Sequence, residues 1–141
     1  MAEGLERFVE AQRSTYDQAL RELRAGEKRS HWMWFVFPQI AGLGRSPTAR
    51  RFAIADAVEA CAYLRHPVLG ARLRECTEAM LGWAGKKDAE AILGPVDAMK
   101  FVSSMTLFDA VAEDDDRFAR ALAAFNHGEQ DPLTLERLWT P

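Results

Sequence analysis

Apolar side chains recur every three or four residues along the N-terminal part of the chain. The stripe runs from Leu5 and Phe8 to Leu23, while Glu and Arg fill the opposite side. This spacing predicts an amphipathic helix, which can break near Ser14. Gly26 then ends the helix, because a glycine after the last apolar turn adopts the left-handed conformation without a Cβ penalty.

The same periodicity predicts further helices as far as the C-terminus. Proline favours the first helical turn, aspartate caps a helix with its side chain, and glycine follows a helix end. Asp56, followed three residues later by Glu59, resembles a capping box. The predicted helices start at Ser46-Pro47, cover residues 56–64, 67–81, 88–93 and 96–111, run from Phe118 to Gly128, and start again at Asp131-Pro132.

Residues 28–44, KRSHWMWFVFPQIAGLG, form the least regular and most aromatic part of the sequence. Periodicity alone does not distinguish a short buried helix from an extended segment here. Because Pro38 disfavours the helical conformation of the residue before it, we expect a short helix that ends before Phe37. Gly42 and Gly44 then supply a flexible loop.

Alternating polar and apolar positions, which are typical of strands, are nearly absent from the chain. No internal repeat and no linker rich in Gly, Ser or Pro divides it. The helices must therefore bury their apolar stripes against one another. We predict an all-α fold in which residues 1–141 form one compact domain, an irregular array of about six to eight short helices.

The charge balance and hydropathy argue against several classes of partner. The 18 basic and 21 acidic side chains give a net charge of −3, so the basic excess of a nucleic-acid-binding protein is missing. The longest mainly apolar run, residues 32–37, is far shorter than the ~20 residues that span a bilayer. The N-terminal sequence MAEGLERFVE lacks the apolar stretch of an export signal. We expect a soluble, cytoplasmic protein that binds neither nucleic acid nor membranes.

The familiar metal and nucleotide motifs are missing as well. Cys61 and Cys76 lack CxxC spacing and lie in apolar-periodic segments, so we expect both thiols to be reduced. The sequence has no GxxxxGK[ST], GxGxxG, GxSxG or HExxH motif. The acidic residues 114–116 lack the spacing of a calcium loop and are typical of a solvated helix start. We expect no metal and no cofactor.

Polar side chains interrupt the otherwise apolar helix predicted over residues 96–111. Asp97, Lys100 and Ser104 are spaced by three and four residues and so share one face, and Ser103 is also polar. Buried polar groups cost free energy unless they are paired. The simpler interpretation is an Asp97–Lys100 ion pair, with the serines bonding to the preceding turn. A functional site is the alternative.

The aromatic segment offers a second set of candidate residues. His31 and Trp34 combine a flat apolar face with a polar group, which suits stacking on a planar ligand, although core packing explains each ring alone. Gln39 lies in a loop from which it can direct its amide into a cleft. Lys28 flanks the segment, and the free N–H groups of the helix that begins at Ser46 could receive an anion.

Four segments carry a family resemblance: GEKRSHWMWFVFPQIAGLG, AYLRHPVLGARLRE, ILGPVDAMKFVSSMTLF and DPLTLERLW. They resemble a bacterial family of domains of unknown function whose members often carry the label calpastatin. The resemblance covers nearly the whole chain and implies an all-α fold of this size, without an established activity. The family's motif positions fall on His31, Trp34, Pro38, Gln39, Ser46, Tyr63, His66, Asp97, Lys100, Ser103 and Thr106.

The calpastatin label carries no functional weight for this sequence. The eukaryotic inhibitor of that name is an unfolded repeat protein that is poor in large apolar residues. This chain has eight Phe, four Trp and a continuous helical pattern, which is the composition of a folded domain.

The leading hypothesis is a small-ligand site where the aromatic segment meets the polar face of the helix predicted over residues 96–111. Its ligand would be a flat, anionic metabolite such as a nucleotide or a ribosylated compound. If it hydrolyses a glycosidic or phosphoester bond, Asp97 or His31 would be the acid or base and Lys100 the electrostatic stabiliser. The ligand-binding residues of this hypothesis are Trp34, Gln39, Lys28, Ser46 and Ser104.

Two other interpretations compete with a ligand site. In the first, exposed aromatic side chains dock a partner helix or a second copy of the chain, which predicts that some of Trp32, Phe35 and Phe37 form one exposed patch. In the second, every motif encodes only helix packing and caps. For the oligomeric state we expect a monomer or a weak homodimer.

Overall fold

The structure, a computed structural model, describes residues 4–139. Its helices in this range are α1 (Glu6–Arg13), α2 (Tyr16–Ala25), α3 (Met33–Val36), α4 (Pro47–Arg51), α5 (Ala57–Arg65), α6 (Leu69–Leu81), α7 (Ala89–Leu93), α8 (Pro95–Val111), α9 (Arg117–Asn126) and α10 (Pro132–Trp139). The predicted all-α fold is confirmed. These ten helices exceed the predicted six to eight, because the N-terminal stripe forms two helices and several segments of one turn are helical. None of the helices within residues 4–139 has the length and apolar character needed to cross a bilayer.

Several helix ends follow the local sequence signals. Gly26 ends α2 with a φ of 76°, and a Cβ at this position would lie 2.8 Å from the Trp83 ring. Asp56 caps α5 by accepting a hydrogen bond from the Glu59 N–H at 2.9 Å. Glu59 in turn accepts one from the N–H of Ala55 at 2.9 Å. The capping box is therefore present, except that Glu59 bonds to the N–H of the residue before the cap instead of that of the cap itself.

Helix α8 lies at the centre of the array, packed against α5, α7, α9 and α10. Neighbours on several sides explain why α8 is apolar almost all round. Phe101 and Phe108 of α8 are buried. Phe37, which follows α3, packs edge-on against Phe101 with 5.0 Å between ring centres. The aromatic segment is therefore tied directly to the central helix.

Glu22 of α2 is buried, although the pattern assigned the acidic side chains of this region to the solvent side. Its carboxylate accepts hydrogen bonds from the Gln18 amide, from the backbone N–H groups of Arg29 and Ser30, from the Ser30 hydroxyl and from the Trp32 indole. Burial raises the pKa of Glu22, but these donors outweigh it and lower the pKa to about 2. Glu22 therefore anchors the start of the aromatic segment as an ion.

The loop after Phe37 is held by a short stretch of parallel backbone pairing. The Ile54 N–H donates to the Gln39 carbonyl at 2.8 Å, and the Ala41 N–H donates to the Ile54 carbonyl at 2.8 Å. These bonds form a single bridge between Ile40 and Ile54, both of which are buried. The bridge fixes the backbone of Gln39.

Candidate functional site

Two adjoining hollows lie between the aromatic segment and α8. The inner pocket, of about 220 Å³, is enclosed by α3, the loop over residues 39–44 and α4. The outer groove, of about 500 Å³, runs along α8 to the turn before α10, and its volume is typical of ligand sites. Trp34, Gln39, Gly44 and Lys100 line both hollows. We call the inner pocket and the outer groove together the cleft.

Lys100 stands where the two hollows meet. Its Nζ lies 3.6 Å from the centre of the Trp34 ring and 3.4 Å from Oδ1 of Asp97. An ammonium this close to an indole face makes a cation–π interaction. Only 20% of the Lys100 side chain is exposed, so the charge has a fixed position at the wall of the cleft.

Asp97 bridges two lysines behind the cleft wall. Its Oδ2 lies 2.9 Å from the Nζ of Lys28, while its Oδ1 faces Lys100. The Lys28 and Asp97 side chains are 10% and 17% exposed, so these charges are partly shielded from solvent. Two ammonium groups and one carboxylate leave one net positive charge, which gives this wall of the cleft a preference for anions.

The inner pocket has a cationic lining. Arg50 and Lys100 both line it, and no acidic side chain of residues 4–139 does so. Gln39 also lines this pocket, and its side-chain amide forms no hydrogen bond with any other residue that the structure describes. Gly44 permits the close approach of the loop to α4, because a Cβ there would lie 2.6 Å from the Ala49 Cβ.

The outer groove combines apolar side chains with one well-supported carboxylate. Val96, Met99 and Leu133 line the groove, and each is more than half exposed. Asp131, which precedes α10, accepts a hydrogen bond at Oδ2 from the Ser103 hydroxyl at 2.9 Å. The groove therefore differs from the inner pocket, since it offers an apolar rim and an acceptor instead of a second cation.

Comparison with known proteins places the chain in an uncharacterised family. The family model described as "Protein of unknown function (DUF1810)" matches residues 2–138. The chain belongs to this family. The DUF1810 chain is also similar to the conserved hypothetical protein Rv1873 from Mycobacterium tuberculosis, known from a crystal structure, with 46% identity, a TM-score of 0.93 and 97% of each chain covered. No curated protein matches it.

The structure brings five of the predicted site residues of this DUF1810 protein together. Trp34, Gln39 and Lys100 line the cleft. Asp97 contacts Lys100, and Lys28 contacts Asp97. The aromatic segment thus meets two of the three polar positions predicted on α8, Asp97 and Lys100, but not Ser104. The simpler interpretation of an Asp97–Lys100 ion pair also holds, since the same pair fixes the cationic wall.

The other three predicted residues, like Lys28 and Asp97, line neither of the two hollows. His31 is exposed and lines neither of them. The Ser46 hydroxyl caps α4 by accepting a hydrogen bond from the Ala49 N–H at 3.1 Å. The Ser104 Oγ is buried and has no hydrogen-bond partner within residues 4–139. The positions of α8 that line the cleft are Val96, Met99, Lys100, Val102 and Ser103.

Sequence reasoning did not include Arg50, Ser103 or Asp131 among the site residues. A usable signal existed for Ser103, because it follows Val96 by seven residues and Lys100 by three, which are helical spacings on one face. For Asp131, the sequence indicated only the start of a helix. The meeting of Asp131 with Ser103 depends on how α10 packs against α8, which no local pattern specifies.

A second concentration of charge, near the start of α9, is satisfied by its own ion pairs. Asp115 lies 3.0 Å from the Arg74 guanidinium and 3.2 Å from that of Arg117. Arg117 also contacts Glu78 at 2.6 Å, and its hydrogen bond lowers the pKa of that carboxyl. Within residues 4–139, no three His, Cys, Asp or Glu side chains form a group suited to a metal ion.

Proposed function

We propose that the cleft binds a small anionic metabolite that carries a flat ring, of the nucleotide or ribose-phosphate class. The observation that carries this proposal is the position of Lys100, whose Nζ lies 3.6 Å from the centre of the Trp34 ring where the two hollows meet. An ammonium beside an indole offers one ligand both a counter-charge and an apolar surface.

The anionic group of the ligand belongs in the inner pocket. Arg50 and Lys100 supply two cations there, and the Gln39 amide supplies hydrogen-bond donors. Charge-assisted hydrogen bonds from such groups are stronger than neutral ones. The apolar ring belongs in the outer groove, where Met99 and Leu133 present exposed apolar surface. The same ligand then spans both parts of the cleft.

Binding has more support than turnover. A general acid or base must come within hydrogen-bond distance of the reacting group. His31 lies outside both hollows, and each oxygen of Asp97 faces a lysine. We therefore assign Asp97 to holding Lys100 in position. Hydrolysis of a glycosidic or phosphoester bond, with Asp97 or His31 as the proton carrier, is a second hypothesis for the same cleft.

A thermal-shift titration with adenosine monophosphate tests the proposal. A ligand that binds only the folded state raises Tm in a concentration-dependent manner. We expect this rise in the wild-type protein and its loss in Lys100→Met and Trp34→Ala. The matched controls Lys86→Met and Trp139→Ala change residues outside the cleft and should keep the response. Failure of a whole library of nucleotides and sugar phosphates to raise Tm would contradict the proposal.

The rival proposal of a protein-interaction module has one observation in its favour. Val96, Met99 and Leu133 are 64%, 73% and 59% exposed along the outer groove. Of the three aromatic residues considered for an exposed patch, Trp32 and Phe37 are each 1% exposed and Phe35 is partly buried. Light scattering tests this rival: self-association that Met99→Glu abolishes would support it, whereas a monomer at all concentrations would count against it.

We also propose that the protein works in the cytoplasm. Cys61 and Cys76 are both free thiols, and proteins of reducing compartments keep their cysteines in this form. Cell fractionation with an antibody against the chain tests this: recovery with the periplasmic or extracellular fraction would contradict it.

A further inference from the structure

The Asp131 carboxylate has one oxygen that accepts hydrogen bonds and one that has no donor among residues 4–139. Its Oδ2 accepts hydrogen bonds from the hydroxyls of Ser103 and Thr134, and its N–H donates to the Thr106 hydroxyl at 2.9 Å. Its Oδ1 has no hydrogen-bond donor within residues 4–139. The residue is half-buried in the wall of the outer groove. Two hydroxyls therefore hold the carboxylate and a third holds the backbone of Asp131, while Oδ1 keeps its acceptor capacity.

The place of Asp131 before α10 explains only part of this arrangement. Thr134 in the first turn of α10 donates its hydroxyl to Oδ2 and so ties the carboxylate to that helix. The second donor, Ser103, comes from the central helix. The oxygen that remains, Oδ1, can only accept hydrogen bonds, because an ionised carboxylate has no donor. A ligand group beside it must supply N–H or O–H, and a second phosphate is excluded by charge repulsion.

Lys100 lines the same groove as Asp131, and this limits the kind of ligand group that Asp131 can bind. Ser103 follows Lys100 by three residues on α8, which corresponds to a rise of ~4.5 Å along the helix axis. Ser103 lies 2.9 Å from Oδ2 of Asp131. Lys100 and Asp131 both line the outer groove, so one small molecule in this groove can contact the two residues. A phosphorylated sugar carries a phosphate and hydroxyl groups in one such molecule.

From this geometry we infer that Asp131 accepts hydrogen bonds from the sugar hydroxyls of the ligand, so that the cleft selects ribose phosphates over deoxyribose phosphates. The inference rests on the proposed function and adds to it a recognition residue and a sugar preference. A carboxylate that accepts from a ribose hydroxyl is a common means of nucleotide recognition. The phosphate then occupies the inner pocket, the sugar lies between Lys100 and Asp131, and the ring continues along the apolar rim.

Isothermal titration with two nucleotides tests the inference on the wild-type protein. We expect adenosine monophosphate to bind about tenfold or more tightly than deoxyadenosine monophosphate, because the latter lacks one hydroxyl and leaves the carboxylate without that donor. Asp131→Asn and Asp131→Ser should reduce this preference to about twofold or less, since both residues can still accept a hydrogen bond from Ser103 or Thr134 but lack the charged acceptor. Glu129→Gln, which removes a negative charge from the same groove, should retain the preference.

The outcomes separate the inference from the function on which it rests. Equal affinity of the wild-type protein for the two nucleotides, with binding still lost in Lys100→Met, would overturn the sugar preference and leave the proposed function intact. No binding of either nucleotide or of inorganic phosphate would overturn both. Loss of the preference in Glu129→Gln to the same extent as in Asp131→Asn would overturn the assignment to Asp131. If both Asp131 variants fail to fold, the wild-type comparison still tests the sugar preference, and an unchanged preference in Ser103→Ala, which removes a donor to Oδ2, would overturn the assignment to Asp131.

Discussion

The indole N–H of Trp32 donates a hydrogen bond of 2.9 Å to Oε1 of Glu22. This bond connects α2 to the residue that precedes α3, and Trp34 of the cleft lies two residues further on. A buried acidic side chain, remote from the cleft in sequence, therefore determines where the aromatic wall of the cleft begins. Because the pKa of Glu22 is lowered to about 2, its carboxylate holds the start of the segment that carries Trp34 as an ion.

Replacement of Glu22 by Gln should remove a contribution to the free energy of unfolding that varies with pH in the acidic range. The folded state holds the pKa of Glu22 at about 2, against 4.5 for the free side chain. A lowered pKa stabilises the fold above pH 4.5, and this contribution is lost as the pH falls through 2. The difference corresponds to about 3 kcal/mol. Urea unfolding should therefore show Glu22→Gln less stable at pH 7 by about this amount, with the gap closing towards pH 2.

The control for this measurement is Glu10→Gln, which removes a carboxylate from the exposed side of α1. We expect it to change the free energy of unfolding by less than about 0.5 kcal/mol at every pH. A gap between the wild type and Glu22→Gln that stays constant from pH 7 to pH 2 would show that Glu22 is not ionised in the fold.

Asp97→Asn should leave Lys28 and Lys100 without their shared counter-charge. Since both lysines are mostly buried, we expect the free energy of unfolding to fall by about 1–3 kcal/mol. The further change Lys28→Met should recover part of this loss, because it removes one of the two unpaired ammonium groups. Chemical unfolding of the two single variants and the double variant measures the coupling. Simple additivity of the two single effects would contradict a bridging role for Asp97.

Gly44→Ala should disturb the inner pocket. The added Cβ would lie 2.6 Å from the Ala49 Cβ, and overpacking of this kind costs about 1–3 kcal/mol. We expect weaker binding of adenosine monophosphate as the loop moves away from α4. Gly44→Ala combined with Ala49→Gly moves the methyl group to the other side of the contact. This double variant should regain binding, at a cost of about 1 kcal/mol for a glycine in α4; if it does not, the contact does not shape the pocket.

The two cysteines should react with thiol reagents at different rates. Burial raises the pKa of Cys76 to about 12, so its reactive thiolate is scarce at neutral pH. Cys61 is only half-buried and borders hollows at the surface. Titration of the native protein with an aromatic disulfide reagent should show one fast thiol, which Cys61→Ala removes and Cys76→Ala does not. Two thiols that react at equal rates before unfolding would contradict the burial of Cys76.

Ser104→Ala should be tolerated, in contrast to Ser103→Ala. The Ser104 hydroxyl is buried without a partner among residues 4–139, so its removal should leave the stability unchanged or raise it by about 1 kcal/mol. Ser103→Ala removes a hydrogen bond to Asp131 and should weaken binding of adenosine monophosphate. Calorimetric titration of the two variants with adenosine monophosphate tests which face of α8 contacts the ligand. Weaker binding in Ser104→Ala and not in Ser103→Ala would assign the site to the face that carries Ser104.

Local signals explain why so much of the fold could be predicted from the sequence. Gly26 ends α2, Asp56 caps α5, and Pro38 marks the end of the short aromatic helix, and each signal acts within a few residues of itself. The solvent side assigned to Glu22 was wrong, because the segment that follows α2 folds back and covers that side chain. Helical periodicity describes one helix at a time and does not predict which other segment packs against it.

The candidate site was predictable to the extent that its residues share a helix or a segment. Lys100 and Trp34 were selected because polar and aromatic types stand out in apolar surroundings, and the fold brings them into contact. Arg50 and Asp131 were not selected, since each is an ordinary surface residue in its own segment. Their membership of the cleft arises from the packing of α4 and α10 around α8.

Nuclear magnetic resonance of the tryptophan indole N–H groups tests the proposed binding site most directly. The chain has four Trp; the indoles of Trp32 and Trp83 donate to Glu22 and to the Leu23 carbonyl, and that of Trp139 lies outside the cleft. On titration with adenosine monophosphate, we predict a saturable shift of the Trp34 indole signal, assigned by its absence in Trp34→Phe. A Trp34 signal that stays still while the Trp139 signal moves, or no saturable shift at all, would contradict the account.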